Sequence, residues 1–98
     1  MSYTEFNDSM AKVRADIDAL DLRLVALLAE RQGMIDRAIA VKRREGLAAR
    51  IPPRVDEVID NAMAEAKRLG LDPEHAREIW TVMVDGFIRR EQRALNRT

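Results

Sequence analysis

The sequence predicts an all-α fold of three helices, the first much longer than the other two. Three observations carry this prediction. Apolar residues recur at spacings of three and four through most of the chain, the period of a helix packed along one face. Proline and glycine are sparse and stand where helices start and stop. No segment alternates polar and apolar residues with period two, so no strand is expected.

The first element is marked by what it lacks. Between Ser9 and Gly46 there is no proline, and the only glycine is Gly33. Val13, Ile17, Leu20, Leu24 and Leu27 or Leu28 form an apolar seam that continues through Ile35, Ala38 and Val41. Thr4 or Ser9 can cap its start, and Gly46 can stop it. One helix from about Ser9 to Glu45 is expected, with Gly33 costing it about 1 kcal/mol relative to alanine.

The second helix opens at Pro52-Pro53, where a proline in the first turn sacrifices no needed N–H. Its apolar positions are Val55, Val58, Ile59, Ala62 and Met63, and it closes at Gly70. The third starts with Asp72 as cap and Pro73 in the first position. Ile79, Trp80, Met83, Val84, Phe87 and Ile88 form its expected buried stripe, and it ends near Asn96.

Length has a consequence for assembly. At about 1.5 Å per residue the first helix is on the order of 55 Å long. A compact domain of this size has a radius of gyration of about 13 Å. Two short helices cannot cover such a rod, so its apolar seam needs a second chain. A homodimer is expected on this ground alone.

Composition narrows the function. With 98 residues a single domain, residues 1–98, is expected, and its modest core makes oligomerisation a common remedy. Seventeen basic and seventeen acidic residues balance, against the net basic face of proteins that bind nucleic acid or membrane surfaces. Without cysteine there is neither a disulfide framework nor a thiolate metal site. The longest apolar run, Val25 to Ala29, is too short to span a bilayer. The amino-terminal stretch with Glu5 and Asp8 does not read as a signal peptide, so a soluble, cytoplasmic protein is expected.

The seam of the first helix carries two cations where apolar residues are expected. Along Leu24, Leu27, Arg31, Ile35, Ala38 and Lys42, the pair Arg31 and Lys42 lie about three turns apart and project in nearly the same direction. One reading has both snorkelling, with stems on the core and heads in water. The other has an anion meeting them, because an unpaired buried cation costs several kcal/mol. No acidic residue on the same helix face is placed to do so, whereas a bound carboxylate would serve. Arg14 lies roughly 25 Å up the helix from Arg31, so the two can share a small ligand only across a dimer of antiparallel helices. On spacing alone Arg14 reads as a solvated arginine. On the third helix Trp80, Val84, Phe87 and Glu91 line one stripe, and Glu91 reads either as an exposed glutamate near a helix end or as an ion-pair partner of a nearby arginine.

Other signals are weaker. His75, the sole histidine, stands in the first turn of the third helix and is expected to face solvent. A single histidine without acidic neighbours at ligand spacing makes no metal site. Lys42-Arg43-Arg44 and Arg89-Arg90 read as solvated helix ends. There is no glycine loop of the kind that cradles phosphate.

At these residues the chain resembles the small, all-helical bacterial chorismate mutase family, over essentially its whole length. Val13 to Asp21 (VRADIDALD), Leu24 to Arg31 (LVALLAER) and Lys42 are similar to the family signature in type and spacing. The resemblance implies three helices per chain and two chains interlocked through the long first helix. It implies that Arg14 of a partner chain enters each active site, and that Arg31 and Lys42 bind carboxylate and ether oxygens. Glu91 falls where many members have a glutamine that donates to the ether oxygen, and some a glutamate. Pro53 stands where the family usually has a glutamate that binds the ring hydroxyl. The stretch Arg50 to Val55 is also similar to a sister group, the isochorismate pyruvate lyases.

The implied reaction is the pericyclic rearrangement of chorismate to prephenate, with no cofactor, metal or nucleophile. The site would hold the dianion in its folded conformer, a proximity effect, and stabilise negative charge on the breaking ether oxygen. Arg14 of the partner and Arg31 would hold the carboxylates, and Lys42 and a protonated Glu91 would face the ether oxygen. Ile35, Ala38, Val84, Phe87 and Ile88 would wall the pocket. Two alternatives stay open: a lyase converting isochorismate to salicylate and pyruvate, and a non-catalytic helical dimerisation module.

Overall fold

The computed structural model describes residues 9–97. It contains α1 (Met10–Glu45), α2 (Pro52–Leu69) and α3 (Pro73–Leu95), and no strand among the described residues. Ser9 caps α1: its hydroxyl accepts from the Lys12 N–H at 3.1 Å and its carbonyl from the Val13 N–H at 2.9 Å. Thr4, the other candidate cap, lies outside the described residues, as do Tyr3, Glu5, Phe6 and Asp8.

The other boundaries follow from backbone chemistry. Gly46 takes φ +70°, and the Leu47 N–H turns back onto the Lys42 carbonyl at 2.9 Å, which closes α1. Ile51, held extended at φ −120° ahead of a proline, starts α2 without any side-chain cap. Two prolines in the first turn leave few N–H groups to satisfy, and those of Arg54 and Val55 both reach the Ile51 carbonyl. Gly70 at φ +83° ends α2, with the Leu71 N–H on the Ala66 carbonyl at 2.8 Å. Asp72 then accepts from the Glu74 N–H at 3.0 Å and starts α3.

The described residues divide into two compact units after Gly33. The first is the amino-terminal stretch of α1. Its seam is exposed in the single chain: Ile17 and Leu20 by 49% each, Leu24 by 56%, Leu27 by 60% and Leu28 by 42%. Val13 alone on that seam is half-buried.

The second unit comprises the rest of α1, the connecting loop, and the α2–α3 hairpin. Its core joins Ile39, Ala49, Val84, Ile88 and Leu95, with Ile35, Val55, Val58 and Trp80 packed against them. Near the hairpin turn the small residues Ala66 and Ala76 are buried, which lets the two helices approach closely. Val55, Val58, Ile59, Ala62 and Met63 of α2 are half-buried, as their periodicity predicts.

Two stripes differ from expectation. On α1 the buried residue is Ile39, while Val41 is exposed. At 100° per residue Val41 falls roughly 110° from the centre of the face formed by Arg31, Ile35, Ala38, Ile39 and Lys42. On α3 the buried residues are Ala76, Val84, Ile88, Glu91 and Leu95, and Ile79 is 43% exposed. Ile79 lies roughly 140° from that face, so its apolar character does not bring it inside. His75 is exposed, as expected. No helix among the described residues is long and apolar enough to cross a membrane.

Candidate active site

Lys42 and Glu91 come from helices far apart in the chain and meet within the second unit. The Lys42 ammonium donates to Glu91 Oε1 at 2.9 Å and to the Ala49 carbonyl at 2.7 Å. The side chains are only 15% and 5% exposed, and Glu91 is buried where an ordinary glutamate near a helix end would be solvated. This corrects the reading of Glu91 as an exposed glutamate or a partner of arginine, and gives the seam cation at 42 a protein anion. Its anion stands on α3, not on α1. Burial of such a pair is sustained only by good geometry and further hydrogen bonds, and the Ala49 carbonyl supplies one.

The apolar residues expected around this pair are in the same unit. Val84 and Ile88 are buried in the core and Ile35 packs against them. Ala38 and Phe87 are half-buried. Arg14 and Arg31 belong to the other unit, where Arg14 is exposed and Arg31 half-buried. Along one helix they stand roughly 25 Å apart, so a single chain does not present both to one small ligand.

A set of cationic contacts fixes the elements around Lys42, and sequence periodicity identifies none of them. Arg90 grips Asp36 through two hydrogen bonds of 2.9 and 3.1 Å, tying α3 to α1. The guanidinium holds the Asp36 carboxyl below its ordinary value, chiefly through the hydrogen bond, and Arg90 is raised in return. Arg50 in the loop pairs with Asp85 at 2.9 Å. Arg43 donates to the Ala94 carbonyl at 2.9 Å, and Arg97 donates to the carbonyls of Lys42 at 3.3 Å and Leu47 at 2.9 Å. Arg43 and Arg90, expected as solvated helix ends, therefore tie helices together. The only sequence signal for these contacts was the clustering of arginines at the carboxyl ends of α1 and α3, where cations also oppose the helix dipole.

A separate apolar cavity of about 170 Å³ opens between α2 and α3, lined by Ala62, Ala66, Leu69, Leu71, Ala76 and Trp80. Trp80 stands about 16 Å along α3 from Glu91, so this hollow is not part of the Lys42 site.

No curated protein matches the chain significantly. The family model for chorismate mutase type II matches residues 13–92, which include Arg14, Arg31, Lys42 and Glu91 and stop short of Arg97. Covering the greater part of α1 and all of α2, the match shows that the chain belongs to the chorismate mutase type II family.

Proposed function

We propose that this chorismate mutase binds its dianionic substrate between Arg31, Lys42 and Glu91 of one chain and Arg14 of a second, and rearranges it without cofactor or covalent intermediate. The observation that carries the reading is the buried Lys42–Glu91 pair. Two of the three N–H bonds of Lys42 are engaged by Glu91 and Ala49, which aims the third. A breaking ether oxygen placed there gains a charged donor that needs no reorganisation as negative charge develops.

Glu91 acts in its protonated form, as a second donor to that oxygen. The two arginines hold the carboxylates and keep the substrate folded, so the bond-forming carbons stay close. Ile35, Ala38, Val84, Phe87 and Ile88 wall the pocket.

The exposed seam of α1 supports a homodimer. Covering Ile17, Leu20, Leu24, Leu27 and Leu28 on each of two chains contributes on the order of 1 kcal/mol per side chain, since about half of each is already covered. An antiparallel arrangement of two such helices also brings Arg14 of one chain toward Arg31 of the other, which a single chain cannot do. The substrate reading has one rival, isochorismate, resting on the similarity of Arg50 to Val55 to the lyases. Assaying the purified protein side by side on chorismate and isochorismate decides between them. Turnover of neither substrate would leave the non-catalytic dimerisation module as the reading.

A further inference from the structure

We propose that Arg97 is a positioning residue for Lys42, and that the carboxyl end of α3 thereby sets the geometry of the catalytic cation. This rests on the site reading above, and concerns a residue outside the stretch that the family model matches.

A helix ends with unsatisfied carbonyls and a partial negative charge. At the end of α1, the Lys42 carbonyl accepts from the Leu47 N–H at 2.9 Å and from Arg97 at 3.3 Å. The same guanidinium nitrogen of Arg97 reaches the Leu47 carbonyl at 2.9 Å. Arg97 thus fixes both the backbone of Lys42 and the start of the loop that leads to Ala49. The Ala49 carbonyl in turn holds the Lys42 ammonium at 2.7 Å. One cation orients both ends of another.

The chain turns Arg97 back for this contact by a local device. Asn96 adopts φ +53°, a left-handed conformation that asparagine tolerates better than most residues. The Arg97 N–H then closes onto the Gln92 carbonyl at 3.3 Å. A reciprocal bond, from Arg43 to the Ala94 carbonyl, joins the same two helix ends without touching the Lys42 carbonyl or the loop. Arg43 therefore provides a control for stability alone.

The test compares the wild-type chain, in the assembly it forms in solution, with Arg97→Ala, Arg97→Lys and Arg43→Ala. If Arg97 positions Lys42, Arg97→Ala lowers kcat for chorismate by about tenfold to a hundredfold while KM changes by less than about threefold. Arg97→Lys, which keeps a donor at the helix end, recovers part of the loss, and Arg43→Ala keeps kcat within about twofold of wild type. A second readout is independent of activity. The only lysines are Lys12, Lys42 and Lys67, so the 15N ammonium spectrum is small enough to assign with a Lys42→Arg reference. The wild-type Lys42 signal, protected by its hydrogen bonds, broadens or disappears in Arg97→Ala but not in Arg43→Ala. Equal losses of kcat in Arg97→Ala and Arg43→Ala, or a Lys42 signal indifferent to Arg97, would overturn the proposal. Failure of the wild type to turn over chorismate counts instead against the site reading, and the ammonium spectrum still decides the role of Arg97.

Discussion

Lys42 and Glu91 form a buried ion pair of 2.9 Å between residues 49 positions apart in the chain. Because both side chains are largely withdrawn from water, removing one partner leaves the other uncompensated. Glu91→Ala is expected to destabilise the protein by about 3 kcal/mol, whereas Glu91→Gln, which keeps an oxygen acceptor for Lys42, costs less. Denaturant unfolding of the two variants measures the difference. Equal stability of Glu91→Ala and wild type would deny the pair any structural weight.

The proposed role of Glu91 in the site makes a second prediction. On the proposed site reading, an ionised carboxylate facing the ether oxygen would repel the charge that develops there, so a donor at position 91 favours turnover. Glu91→Gln donates at every pH, so its profile is expected to be flat and its turnover near neutrality to equal or exceed wild type. Turnover against pH for wild type, Glu91→Gln and Glu91→Ala checks this. Three coincident profiles would place Glu91 outside the site.

Assembly makes its own prediction. If a second chain covers the exposed α1 seam, as proposed, folding and dimerisation are coupled, and the thermal midpoint is expected to rise with protein concentration. Leu24→Lys, on the seam, is expected to lower the midpoint and weaken association. Sedimentation showing a folded monomer at micromolar concentration would contradict the coupling.

Shared sites can be tested by complementation. Arg14→Ala and Arg31→Ala are each expected to be nearly inactive alone. Unfolded together and refolded, they form heterodimers in which one site keeps both arginines, so part of the activity returns. Demonstrated subunit exchange with no recovery would show that the two residues do not meet across a dimer.

Asp36 gives a stability prediction with a definite sign. Its carboxyl, hydrogen-bonded by Arg90, lies below the ordinary value of 3.8 in the folded protein. The stabilisation is present above that ordinary value and disappears as pH falls through the lower, folded one. Asp36→Asn is expected to lose that contribution, so its thermal midpoint falls less than that of wild type on acidification below about pH 4. Because the pair is exposed, the effect is small and weakens in salt. Parallel curves for the two proteins would mean that Asp36 does not contribute.

Helix boundaries were legible in the sequence because their causes are local. Ser9, Gly46, Pro52, Gly70, Asp72 and Pro73 act on backbone within a turn of themselves, and each stands where the structure starts or stops a helix. Which apolar residue faces inward was less legible. Ile39 is buried and Ile79 exposed because partner helices select one face, and a broad apolar arc contains several candidate faces. Lys42 and Glu91 were each conspicuous on their own helices, but nothing in either helix's periodicity says that they meet. Ala49 carried no signal at all, since a carbonyl acceptor leaves no trace in residue type, and Arg97 stood out only as one more cation near the carboxyl end of α3.

The α2–α3 hairpin is closed by Gly70, Asp72 and Pro73 within a three-residue connection, so its contacts bridge short stretches of chain. Such local contacts close early in folding, whereas pairing Lys42 with Glu91 must enclose a loop of nearly half the polypeptide. On the proposed site reading, the reactive geometry is therefore expected among the late events of folding. A preparation with full helical circular dichroism can still lack it, so the fraction of competent sites has to be counted by titration with a tight-binding ligand.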